Sequence, residues 1–304
     1  MLMNDTVLCV GAGFVYALSS LGFKRAMHGQ ASAAKVTAVS NVAMAAIFQM
    51  LWLWPGAPPD WNKLYLPAIS GALYFVAQRL AFSALSRGDV SLSTPLLGLK
   101  VIFVPLFSGL IYAATITSSL WFTAGLCFLG LFLLGRGRPR HLSPKARYEA
   151  ILFSVTAAAI FALNDVVGQH WARAFGMEPY LALMTATMAA LSLGYFIPRW
   201  MGKPQAPPAD RASNAANAQT RCWLSVSSIL LGLQGVVFAL VLVHGYNNAA
   251  ILNIAYSSRS VWSVLLITAL AGAMKLPEGQ LHRGEILQRL IGSVLIFISI
   301  LLIL

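Results

Sequence analysis

The chain has 304 residues, of which 58% are hydrophobic and only 10% charged, and its 21 Lys and Arg against 9 Asp and Glu leave a formal charge of +12. A soluble domain is nearer half apolar and a quarter charged, so the composition excludes a soluble enzyme, a coiled coil, a collagen and a disordered tail. At about 20 residues per crossing, ten spans would occupy about 200 residues and leave about 100 for loops and ends.

Ten apolar stretches follow one another along the chain: 6–23, 34–54, 64–86, 89–112, 118–135, 149–170, 179–198, 223–243, 248–273 and 287–304. Each is long enough to cross a bilayer as a helix, and such continuous runs are not the alternating strands of a membrane barrel. The start, Met1-Leu-Met-Asn-Asp5, has no basic n-region, so the first stretch reads as a retained span rather than a cleaved leader. Short breakers such as Pro55-Gly-Ala-Pro-Pro59 separate most stretches. One connection is long, residues 202–221, and its Ala, Pro, Asn and Gln content predicts a flexible cytoplasmic loop.

The positive charges sort by side. Loops after spans 1, 3, 5, 7 and 9 carry sixteen Lys and Arg, from Lys24 and Arg25 to Arg289, whereas the opposite side has only Lys63 and Arg173. The positive-inside rule therefore places both termini away from the cytoplasm, in a multi-pass protein of a bacterial inner membrane. The same asymmetry accounts for the net charge as topology and headgroup contact, with no nucleic-acid partner.

Cys9, Cys127 and Cys222 are odd in number and two lie within apolar runs, so they form no disulfide framework and no metal motif. His28, His141, His170, His244 and His282 are scattered, with His170 and His244 at span ends. There is no HExxH, no Walker loop and no pair of intramembrane carboxylates. The pattern predicts neither an enzyme nor a cofactor nor a metal, and no ATP hydrolysis by this chain.

The two halves resemble each other. Asp89–Lys100 lies over Asn248–Arg259 without a gap, each segment closing on a cation; Phe14–Ser20 matches Ala159–Asp165; Gly125 and Gly292 fall at corresponding places. Five spans per copy is odd, so the second copy enters the membrane from the opposite face, the inverted design of alternating-access carriers. The expected fold is thus all-α and polytopic, ten transmembrane helices as a 5+5 inverted repeat, with copies at 1–140 and 141–304.

The stretch Ala84-Leu-Ser-Arg-Gly-Asp-Val-Ser-Leu-Ser-Thr-Pro95, followed by Leu99-Lys-Val-Ile-Phe-Val-Pro105, resembles the junction of helices three and four in the EamA-type carriers of the drug/metabolite transporter superfamily, and Asn247–Trp262 resembles the equivalent second junction. The resemblance covers nearly the whole chain and implies a ten-helix carrier of small molecules. One departure stands out. Many members carry a Gly-Glu pair in the loops between helices 4 and 5 and helices 9 and 10; here Ala113–Ser118 contains no acid, and the second loop offers Glu278 followed by Gly279.

Four charged residues fall well inside the spans: Arg79, Lys100, Asp165 and Arg259. Each costs about 2.5–3.5 kcal/mol near a helix centre on insertion scales, so each must face a bundle interior, a partner, water or a ligand. Lys100 and Arg259 match in the repeat, so they should meet one midplane cavity and receive an anion. Helical spacing adds Ser93 to the Lys100 stripe and Tyr256, Trp262 and Asn253 to the Arg259 stripe. Gln78 sits beside Arg79 in span 3, and Asn164 and Asp165 form a polar cluster in span 6, with Asp165 read as a counter-ion or a proton site. The opposing reading makes Lys100 and Arg259 structural, satisfied by Asp165 and by backbone carbonyls, and leaves Arg79 to snorkel to the headgroups.

These residues predict a secondary carrier of a small, anionic or zwitterionic metabolite. The alternatives are a proton-coupled exporter of amphipathic drugs and a non-transporting membrane scaffold or sensor. Ten helices can enclose a cavity alone, and no strict GxxxG pair calls for a dimer.

Overall fold

The computed structural model describes residues 2–88, 90–135, 143–194, 211–244, 249–270 and 283–303. Among them all regular structure is helical. The helices are α1 (Leu2–His28), α2 (Ala33–Phe48), α3 (Tyr65–Arg87), α4 (Val90–Leu97), α5 (Lys100–Tyr112), α6 (Ser118–Gly135), α7 (Pro144–Phe175), α8 (Met177–Leu193), α9 (Arg211–His244), α10 (Ala249–Tyr256), α11 (Ser258–Leu270) and α12 (Arg283–Leu301). Eight segments are long and apolar enough to cross a membrane, and Leu287–Leu301 is a shorter apolar helix. Ten spans were expected; among the described residues eight segments meet that length, and α8, of 17 residues, and the apolar stretch Leu287–Leu301 fall just short of it.

Local chemistry sets the helix ends. Ser32 caps α2, its Oγ accepting from the Lys35 amide at 3.2 Å. Asp60 starts the turn before α3 by accepting from Asn62 N at 3.2 Å. Ser143 caps α7 with Pro144 at the first helical position, where its missing N–H costs nothing. Between α7 and α8 Gly176 has φ 114°, a left-handed value open to glycine, and a Cβ there would also press on the Ala57 carbonyl oxygen at 3.2 Å.

The fourth and ninth stretches each form one candidate span, Leu92–Tyr112 and Ala249–Leu270, made of two successive helices. In the first, Pro95 lacks an amide hydrogen, and the chain closes into tight turns: Gly98 N donates to Pro95 O at 2.9 Å and Leu99 N to Leu96 O at 3.1 Å. In the second there is no proline. Ser257 N donates to both Asn253 O at 3.0 Å and Ile254 O at 3.1 Å, and its hydroxyl donates to Ile254 O at 2.6 Å.

The loop expected over 202–221 needs correction. Residues 202–210 lie outside the described part, but α9 begins at Arg211, so the polar stretch from there onward is helix. Its alanines favour helix strongly, and Thr220 anchors it by donating to Gly29 O at 3.0 Å.

Helix packing has a two-fold pattern. α1 packs on α9 and α3 on α7; α2 packs on α9 and α3 on α8; α5 packs on α7 and α1 on α11. Each pair turns into the next when α1 is exchanged for α7, α2 for α8, α3 for α9, and the broken helix α4–α5 for α10–α11. α2 with α8 and α6 with α12 pair across the exchange itself. At the α6–α12 contact a Cβ on Gly130 would lie 2.6 Å from Gly292 O, and one on Gly292 would lie 2.7 Å from Gly130 O. Gly130 is therefore the residue that meets Gly292, whereas Gly125 has nothing within 4 Å of a Cβ.

Candidate functional site

The two helix breaks place Lys100 as the first residue of α5 and Arg259 as the second of α11. Both side chains line one central cavity of about 90 Å³. Asp165 of α7 lines it too, and all three residues are buried, at 5%, 5% and 4% exposure. Charges this deep must be matched, or their desolvation would be prohibitive.

They are matched differently. Lys100 Nζ lies 2.6 Å from Asp165 Oδ2, and Asn253 Nδ2 donates to the same oxygen at 2.9 Å while also reaching Ala249 O at 2.9 Å. The ammonium stands over the rings of Phe161 (5.7 Å) and Phe238 (5.4 Å). Arg259 instead donates from one terminal nitrogen to Leu97 O at 2.9 Å, the carbonyl at the end of α4. Its guanidinium carbon lies 4.9 Å from the Tyr16 ring centre and 4.6 Å from that of Tyr256. Aromatic faces attract such a cation, more so when it is desolvated. Its Nε–H is buried without a partner.

The rest of the wall is aromatic and amide. Tyr256 donates its hydroxyl to Gln234 Oε1 at 2.8 Å and stacks on Phe238 at 4.3 Å. Gln78 Nε2 donates to Ser40 Oγ at 3.1 Å and leaves Oε1 unpartnered. Ser93 lines the cavity with its hydroxyl unpartnered. Asn164 lines it as well and accepts from Ser70 Oγ.

Of the residues singled out in the sequence, the cavity thus unites Lys100, Arg259, Tyr256, Gln78, Ser93, Asn164 and Asp165. Asn253 stands behind the wall and orients Asp165. Arg79 is elsewhere, half-buried and donating to Ser83 Oγ at 3.0 Å one turn along its own helix. Trp262 is also elsewhere: it meets Phe14 edge-on at 5.3 Å, because the stripe from Arg259 turns toward α1 at the start of α11. His170 stacks on Tyr112 at 3.6 Å, and His244 Nε2 lies 2.9 Å from Glu178 Oε1. Glu278 lies outside the described residues.

Tyr16, Tyr74, Phe161, Gln234 and Phe238 line the cavity without having been singled out. One signal was available: Gln78 and Phe82 are four apart in α3, and Gln234 and Phe238 are four apart in α9, the helix that the two-fold pattern exchanges for α3. All four line the cavity.

The EamA-like transporter family profile matches residues 6–136, a stretch that includes α1 to α6. That match over the first part of the chain supports membership of the drug/metabolite transporter superfamily. A solved crystal structure shares its fold, with a TM-score of 0.70 at 18% identity, covering 98% of this chain and 97% of that one. No curated protein matches the chain. The chain is accordingly a multi-pass integral membrane protein, and the match over its first part points to a membrane transporter of the drug/metabolite type.

Proposed function

We propose that this chain is a secondary carrier that moves a small metabolite bearing negative charge by alternating access. It is built from two five-helix repeats, 1–140 and 141–304, inserted with opposite orientation. The observation that carries the reading is the charge count of the cavity. Two cations line it, Lys100 and Arg259, and the described carboxylate among them, Asp165, is bonded to the first alone. One positive charge remains in excess in a buried hollow, and an anion is the group that compensates it. The exchange of helix pairs between halves and the two matched breaks support the inverted repeat, since the same packing seen from the opposite face gives a second state of similar energy. The Lys and Arg asymmetry supports termini on the non-cytoplasmic side of a bacterial inner membrane. Its partners are then the bilayer and its small-molecule cargo.

The test is flux into proteoliposomes, with Lys100→Gln and Arg259→Gln beside the unaltered chain. Loss of anion flux in Arg259→Gln is the expected result. Unaltered transport in both variants would remove the anion site.

Asp165 in an aromatic-walled cavity also favours a second reading, proton-coupled export of amphipathic drugs. Flux that rises with an imposed pH gradient, and loses that dependence in Asp165→Asn, would replace the first reading by this one.

A further inference from the structure

The two cation sites correspond under the exchange of α1 for α7, and the comparison exposes a missing group. On α7, Phe161 lies beneath Lys100, and one turn further along Asp165 closes the ion pair at 2.6 Å. On α1, Tyr16 lies beneath Arg259, and one turn further along stands Ser20, whose hydroxyl is turned back to its own helix at Ala17 O, 2.9 Å away. Ser20 lines the cavity as Asp165 does. Arg259 has no carboxylate partner among the described residues, and its buried Nε–H donates to nothing.

The geometry points to the cargo itself as the missing carboxylate. Resting on the proposed carrier function, the substrate class is an amphipathic monocarboxylate with an aromatic or apolar body. Its carboxylate docks at the free Nε edge of Arg259, beside Ser20, and completes the ion pair that Asp165 completes at Lys100. Three features set the class. One uncompensated cation takes one negative charge, which disfavours a phosphate dianion. Asp165 is held by Lys100 and Asn253, so no carboxylate is left for an ammonium, which disfavours a zwitterion. The rings around the cavity suit an apolar body, and the unpartnered Nε–H of Arg259 offers a carboxylate the planar fork geometry peculiar to arginine.

The first measurement uses the unaltered chain. Thermal shift and calorimetry with 3-phenylpropanoate should show binding, with its amide, phenylalanine and benzylphosphonate each at least tenfold weaker. The second uses Ser20→Asp, which builds the carboxylate into the protein, with Ser20→Asn as its uncharged twin. Ser20→Asp should melt higher without ligand than Ser20→Asn and bind 3-phenylpropanoate at least tenfold more weakly than Ser20→Asn does. Equal binding of the acid and its amide, or equal losses in Ser20→Asp and Ser20→Asn, would overturn the proposal. Proteoliposome flux separates it from the carrier reading. Arg259-dependent binding of 3-phenylpropanoate without flux leaves this site standing and removes transport. Flux of another solute that neither 3-phenylpropanoate nor Ser20→Asp alters leaves transport standing and removes this site.

Discussion

Lys100 and Arg259 each open the second part of a broken helix, yet the lysine reaches a carboxylate from another helix whereas the arginine reaches a backbone carbonyl. The difference follows from the two cations. An ammonium is a compact, strongly hydrated charge that needs a concentrated counter-charge when buried, and Asp165 is one. A guanidinium spreads its charge over a plane, so a carbonyl acceptor and the faces of two tyrosine rings can hold it without an acid. A lysine site of this kind is complete within the protein, and an arginine site of this kind keeps a donor in reserve.

The sharpest way to break that contrast is Asp165→Asn, which strands Lys100 in the interior. Removing one partner of a buried pair costs about 3–5 kcal/mol, seen as a large fall in melting temperature in detergent. Adding Lys100→Gln to Asp165→Asn should recover most of that loss, because both charges are then gone. Next in size is Arg259→Lys. Two aromatic faces lose their planar partner, at a cost of about 2 kcal/mol, and the variant should melt lower while the Asp165→Asn effect added to it stays the same size. Smaller is Tyr256→Phe, which removes the 2.8 Å bond to Gln234 and should cost about 1 kcal/mol. The smallest expected effect is at the exposed pair Arg87–Glu149, whose 2.8 Å contact resembles the Lys100–Asp165 contact in length. Its side chains are 42% and 33% exposed against 7% and 6% for the buried pair, so Arg87→Ala should cost under about 1 kcal/mol. A loss at Arg87 as large as that at Asp165 would show that burial is not what separates the two pairs.

Much of this architecture is legible in the sequence because membrane burial is written in composition. A cation inside an apolar run stands out, and so Lys100, Arg259 and the counter-ion role of Asp165 could be read before any coordinates. Tyr16, Tyr74 and Phe238 could not, because an aromatic that lines a cavity and one that faces lipid sit in equally apolar surroundings. Phe122 and Phe132 show the same residue type exposed on α6. The break at Pro95 carries a visible marker, whereas the break at Ser257 falls in a run with no proline or glycine to announce it. Trp262 failed for a related reason. The i, i+3 rule assumes that a stripe keeps facing one neighbour, and at the start of α11 the neighbour changes from the cavity to Phe14. The alanine-rich run after Arg211 was misread since polarity reports solvent contact while helix propensity reports backbone state, and there the two point apart.

At the seam between α6 and α12, the backbones of Gly130 and Gly292 meet with no side chain of their own between them. Such a gap has no adjustable spacer. Changes in bilayer thickness or lateral tension would therefore act there on a contact that can be pulled apart but not squeezed, making this seam a fixed stop between the two helices.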